Sequence, residues 1–377
     1  MVTEEDELTY DDLVEVHRIN SYEHLLDIIS ISNDKDIRDN FIFRGLKRTS
    51  YDLIPSALRY NVETGEYEIN KFIIESEFNF RITRKHEIMV EGETKTAYSF
   101  DTINKSNQSV DVEPKYRVSS DGDMQFRREI YVLLNFLDYA DKIGLKIPTS
   151  FYVRRRIHNH LSYLPKEKYR WPEHEFYEII SLAQHYGIPT RALDWSYDYK
   201  VALYFAVEDI LENNDDDCVL WAFNYKLFED NYHPHLELIN PTHELDQLVI
   251  YRPEYNNNLN LKAQKGLFTF LPTDIENADK IMPFDELISE LFIARRNHDQ
   301  FDENYVYYHI GGFRKFSIKD NEKIFHKFII SGNLKAKILK DLYNEGYAPE
   351  NIYPGFKGVV DSIEKRAILD RIINKKE

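Results

Sequence analysis

A single cysteine, Cys218, in a chain of 377 residues excludes an intramolecular disulfide and any cysteine-based zinc centre. It lies in the apolar run Cys218-Val219-Leu220-Trp221-Ala222-Phe223, where a buried and inert core thiol is expected. No apolar run approaches the length of a membrane-spanning helix. The N-terminal residues Met1 to Glu7 are acidic and lack the basic-then-apolar layout of a secretory signal. A cytoplasmic protein without membrane contact is therefore expected. Positive charge is also in short supply, with 48 Lys and Arg against 65 Asp and Glu and a net charge of -17. Non-specific nucleic-acid affinity needs lysine and arginine to displace counterions, so this balance argues against a general phosphate-binding surface. A local basic cleft stays open as a reading, with Arg127-Arg128, Arg154-Arg155-Arg156 and Arg295-Arg296 as its candidates. Solvated or acid-paired arginines are the simpler account of these runs.

Several catalytic templates are missing too. There is no Gly-x-x-x-x-Gly-Lys-Ser/Thr phosphate loop and no Gly-x-Gly-x-x-Gly dinucleotide fingerprint. No Gly-x-Ser-x-Gly setting supports a serine hydrolase. The histidine pairs His158-Asn159-His160 and His233-Pro234-His235 lack helical i, i+4 spacing with a carboxylate, so no metal is expected.

What is present is enough apolar material for a large core, with 42% hydrophobic and 14% aromatic residues. Helical periodicity is clearest from Phe126 to Ile143, where Ile130, Leu133, Leu134, Leu137 and Ala140 share a face and Gly144 follows as a stop. Further helices are expected from His174 to Tyr186, from Tyr197 or Asp198 through Val207, from Asn333 to Asn344, and from Val359 to Ile373. Strand candidates are Phe41 to Arg44, Cys218 to Phe223, Gln247 to Tyr251, Leu267 to Leu271, Tyr305 to Ile310 and Lys323 to Ile330. Without a regular βαβ alternation, this mixture predicts an α+β fold of small, mostly antiparallel sheets with surrounding helices. One elaborated domain over residues 1–377 is expected, its core about 20–360. The polar stretch His86 to Asp123 reads as an insertion or a mobile loop.

The densest polar segment runs from Ser181 to Ser196 and gathers His185, Tyr186, Arg191, Asp194, Trp195 and Ser196 around Gly187 and Pro189. Polar loops held on a rigid scaffold are where binding and catalytic groups collect. His185 has two readings, a proton shuttle or a group that neutralises helix carbonyls, and the second is favoured. Asp194 to Ser196 reads as a helix entry, with Ser196 a plain cap. Arg44 sits in the apolar stretch Phe41-Ile42-Phe43-Arg44-Gly45 and must find an anion, either an internal carboxylate such as Asp194 or a ligand. Gly45 permits close backbone approach or a positive φ. Gln264, ahead of the strand Leu267 to Leu271, suits a ribose hydroxyl or a base edge, or simply a loop backbone.

Taken together, these segments resemble the FRG domain family, whose Phe-Arg-Gly signature reads here Phe43-Arg44-Gly45. Its second block is matched by Gln184 to Ser196, followed by Ala202-Leu203-Tyr204-Phe205-Ala206. The third is matched by Gln264 to Phe268 and a C-terminal block by Ile352-Tyr353-Pro354-Gly355. The block order in turn resembles the three-motif plan of NAD-dependent ADP-ribosyltransferases. That resemblance implies an ADP-ribosyltransferase-like core, with Arg44, Ser196 and Gln264 as catalytic residues. It implies NAD as co-substrate, bound by Arg44, Gly45, Tyr204, His185 and Arg191, with Tyr204 stacked on a ring. A Glu-x-Glu pair is absent at Gln264-Lys265-Gly266, which speaks against arginine as the acceptor. RNA or DNA is the favoured acceptor and protein the second. The family context implies an intracellular toxin or anti-phage effector restrained by an inhibitory partner or antitoxin. The competing readings are a non-enzymatic nucleotide- or RNA-binding module and, more weakly, a nuclease.

Overall fold

A computed structural model of the chain describes residues 9–31, 39–74, 80–90, 93–102, 121–157, 170–212, 214–229, 248–301 and 323–376. In chain order the strands are β1 (Val14–Ile19), β2 (Phe41–Leu46), β3 (Tyr60–Asn61), β4 (Glu66–Tyr67), β5 (Phe80–Val90), β6 (Glu93–Thr102), β7 (Arg170–Trp171), β8 (Leu193–Ser196), β9 (Cys218–Asn224), β10 (Val249–Tyr251), β11 (Gly266–Phe270), β12 (Thr273–Asp274) and β13 (Phe325–Ile330). The chain divides into two compact units, each assembled from separate stretches. The first comprises Met1–Leu53, Asp194–Thr269 and Met282–Glu377, and the second Ile54–Leu193 and Phe270–Ile281.

The first unit is organised by a seven-stranded sheet of order β1-β13-β9-β2-β8-β11-β10. Its β1–β13 pair is parallel, whereas β13–β9, β9–β2 and β2–β8 are antiparallel. The α+β class expected from the sequence holds, but most strands gather into one mixed sheet rather than several small ones. Strand β9 is buried at every position because both sheet faces are covered. On one face Cys218, Leu220 and Ala222 join Phe43, Phe328 and Ile330 beneath the helices Tyr199–Val207 and Lys335–Asn344. On the other, Phe223 stacks on Phe325 at 4.9 Å and meets Phe284, from the helix Phe284–Phe301, edge-on. Each such ring contributes about 1.5–3 kcal/mol by leaving water. Burial also pushes the Cys218 thiol up to about 12, in keeping with an inert core cysteine.

Gly45 lets the helix Tyr199–Val207 lie directly on β2. A Cβ there would fall 1.9 Å from the Ala202 carbonyl oxygen and 2.7 Å from the Ala206 nitrogen. Of its two sequence readings, close backbone approach is the one realised. Asp198 caps the same helix, its Oδ1 accepting the Lys200 N–H at 3.0 Å. The expected helix entry at Asp194 to Ser196 is therefore corrected to strand β8, with Trp195 buried against Phe223 and Phe284. A fully buried Lys335 is held by Asp209 at 3.0 Å and by the Lys47 carbonyl at 3.1 Å.

The second unit holds the antiparallel pairs β3–β4, β5–β6 and β7–β12. Its long helix Asp121–Lys142 turns Phe126, Ile130, Leu133, Leu134 and Leu137 inward and stops at Gly144, where φ is +75°. The helix Tyr177–His185 ends the same way at Gly187, with φ +87°. Glycine takes this left-handed conformation without a Cβ penalty, so both stops fall where the sequence places them. The polar stretch 86–123, expected to be an insertion or a mobile loop, is strand and hairpin as far as Thr102 and helix from Asp121. Residues 103–120 lie outside the described residues, as do His158, His160, His233, His235 and the strand candidate Tyr305 to Ile310. Among the described residues, no helix is long and apolar enough to cross a membrane.

Candidate functional site

Arg44 lies on β2 beside a fork in the sheet, for β2 and β8 share a single bridged pair, Phe43 with Ser196. Its side chain is only 10% exposed. One terminal nitrogen, Nη1, donates to the Asp194 backbone oxygen at 2.7 Å and meets the Asp194 carboxylate at 2.5 Å. That carboxylate is 58% exposed, so the ion pair reaches from the buried sheet to solvent. The Arg44 Nε is buried and has no hydrogen-bond partner among the described residues. Among the described residues the guanidinium is thus only part-satisfied.

Ser196 is buried, and its hydroxyl is spent within the protein. It donates to the Gln264 carbonyl at 2.7 Å and accepts the Asp198 N–H at 2.9 Å. The hydroxyl thus pins β8 to the turn ahead of β11 and to the start of the helix Tyr199–Val207. In that turn Lys265 adopts a φ of +47°, uncommon for a residue with a side chain, and its carbonyl accepts the Tyr197 N–H at 3.1 Å. Its ammonium meets Asp198 at 2.8 Å, and the same carboxylate accepts from the Tyr347 hydroxyl at 2.9 Å. The Gln264 side-chain amide donates to the Ile352 carbonyl at 3.4 Å. Ser196 and Gln264 are therefore joined. Among the described residues Arg44 makes no hydrogen bond to either of them, and its contacts are to Asp194.

Tyr204, expected as a stacking platform, is corrected to a core residue. It is 0% exposed and packs among Leu203, Ala336, Leu339 and Tyr343, with its hydroxyl 3.3 Å from the Lys365 ammonium. A ring enclosed on both faces presents none to a ligand.

Arg191 and His185 belong to the second unit. Arg191, expected to bind the co-substrate, is corrected to a structural cation. Its Nε and Nη2 donate to the two Glu129 oxygens at 3.0 and 2.6 Å, and Nη2 also donates to the Ala278 carbonyl at 2.6 Å. Both side chains are 5% exposed. Glu129 accepts in addition from the Trp171 indole at 2.7 Å and the Gln125 amide at 2.9 Å. The cavity beside them is of order 10 Å³, the size of one water and far below a cofactor pocket. His185 ends the helix Tyr177–His185, and burial lowers its pKa, which disfavours a cation there to neutralise helix carbonyls. The arginine clusters dissolve in part. Arg127 is buried against Asp123 at 2.9 Å, and Arg154 pairs with Asp141 at 2.9 Å.

Sequence reasoning misses Glu129, Asp198 and Tyr347, the residues that actually hold these groups. The Asp at a helix start was a visible signal for Asp198. Glu129 lies 62 residues from Arg191, and nothing local marks the pair.

No curated protein and no solved structure matches the chain. The FRG domain family matches residues 139–215. That stretch contains Gln184 to Ser196 and the helix Tyr199–Val207, and ends before Gln264. Through residues 139–215 the chain carries an FRG domain.

Proposed function

We propose that the chain is an NAD-dependent ADP-ribosyltransferase acting on a macromolecule, with an ADP-ribosyltransferase-like core in its sheet and Arg44 as the NAD anchor. One observation carries the reading. The three motif blocks fall in chain order on or beside three neighbouring strands, β2, β8 and β11, with a part-satisfied arginine at the β2–β8 fork. Arg44 grips an NAD phosphate or ribose oxygen through paired, charge-assisted hydrogen bonds. The nicotinamide–ribose bond breaks, nicotinamide leaves with the bonding pair, and C1′ gains positive charge. Gln264 faces that ribose in this reading, its side chain leaving the Ile352 carbonyl for a ribose hydroxyl. A nucleophilic oxygen or nitrogen of the acceptor bonds to C1′ and gives up its proton. Ser196 is a positioning residue: its two hydrogen bonds fix the turn that carries Gln264. The protein's work is orientation and electrostatic stabilisation. RNA or DNA is the proposed acceptor, ahead of protein.

A second reading, a nucleotide-binding module without turnover, draws on the same geometry. The Ser196 hydroxyl and the Gln264 amide are already satisfied inside the protein, which leaves Arg44 as the group with capacity to spare. Incubating the full chain with adenylate-labelled NAD and total cellular RNA, DNA and protein separates the two. Label that enters a polymer and is released by nuclease assigns a transferase of nucleic acid; release by protease assigns a protein acceptor. NAD binding with no nicotinamide released would leave the binding module.

A further inference from the structure

The edge of the sheet holds a cluster outside the candidate site. Parallel pairing of β1 and β13 sets Glu15 opposite His326 and His17 opposite Phe328. Glu15 and His17 are two residues apart on one strand, so alternation turns both to the same face. Among the described residues, Glu15, His17 and His326 are the trio whose ligand atoms all lie within 4.8 Å of one another. The separations are 3.1 Å between His17 Nε2 and His326 Nδ1, 3.4 Å between His326 Nδ1 and Glu15 Oε2, and 3.8 Å between His17 Nε2 and Glu15 Oε2. A tetrahedral ion with bonds of ~2.0–2.1 Å keeps its ligand atoms about 3.3–3.4 Å apart. The triangle is thus close to one face of such a tetrahedron.

We infer that Glu15, His17 and His326 form a three-ligand site for a divalent cation of the zinc class, its fourth corner open to water. Two imidazoles with a carboxylate are a donor set that zinc favours. The rings are held by packing rather than by solvent: His17 stacks on Phe328 at 4.8 Å, and His326 lies against Phe41 at 5.2 Å. Glu15 is 48% exposed, which opens the remaining corner. Bound there, the ion ties the edge strand β1 to the rest of the sheet. The histidine pairs weighed from sequence are local, whereas His17 and His326 stand 309 residues apart and meet only through strand pairing.

The test uses the full chain freed of metal with a chelator and titrated with zinc by calorimetry, then with cobalt by visible absorption. The site predicts saturable zinc binding, a higher melting temperature with zinc, and the intense d–d bands of four-coordinate cobalt. Glu15→Gln and His17→Gln keep side-chain size. Each weakens zinc by more than the ~10–100-fold that loss of an outer partner costs. Glu15 is exposed, so its variant keeps the far-UV circular dichroism of the native chain. Wild-type protein that binds no zinc, or a folded Glu15→Gln chain that binds zinc and shifts its melting as wild type does, overturns the assignment.

Discussion

Arg44 and Arg191 are both marked by the sequence and both largely withdrawn from solvent, yet their guanidinium groups end in different states. Arg191 spends its donors on Glu129 and the Ala278 carbonyl, and Glu129 in turn is filled by Trp171 and Gln125. Among the described residues Arg44 is held by Asp194 alone, through Nη1, and its Nε finds no acceptor. Arg191 is a well-satisfied structural cation, whereas Arg44 is part-satisfied among the described residues. Burial alone therefore does not tell how far an arginine is satisfied. The count of satisfied donors does.

Four substitutions break or sharpen the contrast. Glu129→Ala strands the Arg191 charge in the second unit and lowers unfolding free energy by about 3–5 kcal/mol, read from urea denaturation. A loss under about 1 kcal/mol would mean the pair is not the closed structural unit described. Gly45→Ala drives a methyl into the Ala202 carbonyl and costs about 1–3 kcal/mol or more, measured the same way. This outcome separates the glycine's packing role from its neighbour's chemistry. Ser196→Ala removes a hydroxyl that makes two hydrogen bonds and costs about 1–2 kcal/mol, with a fall in NAD turnover that follows from displacing Gln264. Arg44→Ala costs about 1–2 kcal/mol, because it removes a mostly enclosed guanidinium that donates to the Asp194 carbonyl, while the Asp194 carboxylate it also pairs with is largely exposed. The two arginines are thus predicted to be opposites, one governing stability and the other ligand handling. Equal destabilisation by Glu129→Ala and Arg44→Ala would erase the distinction.

The parts of this molecule governed by local chemistry were legible in the sequence. Gly144 and Gly187 end helices where expected, and the apolar run from Cys218 became the fully buried β9. Gly45 pointed to a close approach, although not to the helix that makes it. Strand β8 was hidden because Asp194 and Ser196 are good capping residues, while tertiary packing of Trp195 decided the outcome. Strand β1 escaped notice because an edge strand with Glu15, His17 and Arg18 shows little apolar alternation. At the site, no one-dimensional signal tells which side chains are already satisfied. That depends on Glu129, Asp198 and Ile352, each brought in from another element. Tyr204 shows the cost: its aromatic ring suited a ligand wall by type, and its position placed it in the core.

Nicotinamide release from NAD, followed in parallel for wild type and Arg44→Ala with total RNA, DNA and protein as acceptors, tests the central claim most directly. The account predicts acceptor-dependent release by wild type and a loss of roughly 10²–10³-fold in Arg44→Ala, with the variant still folded. Release by Arg44→Ala at the wild-type rate, or none by wild type with any of the three acceptors, would contradict it.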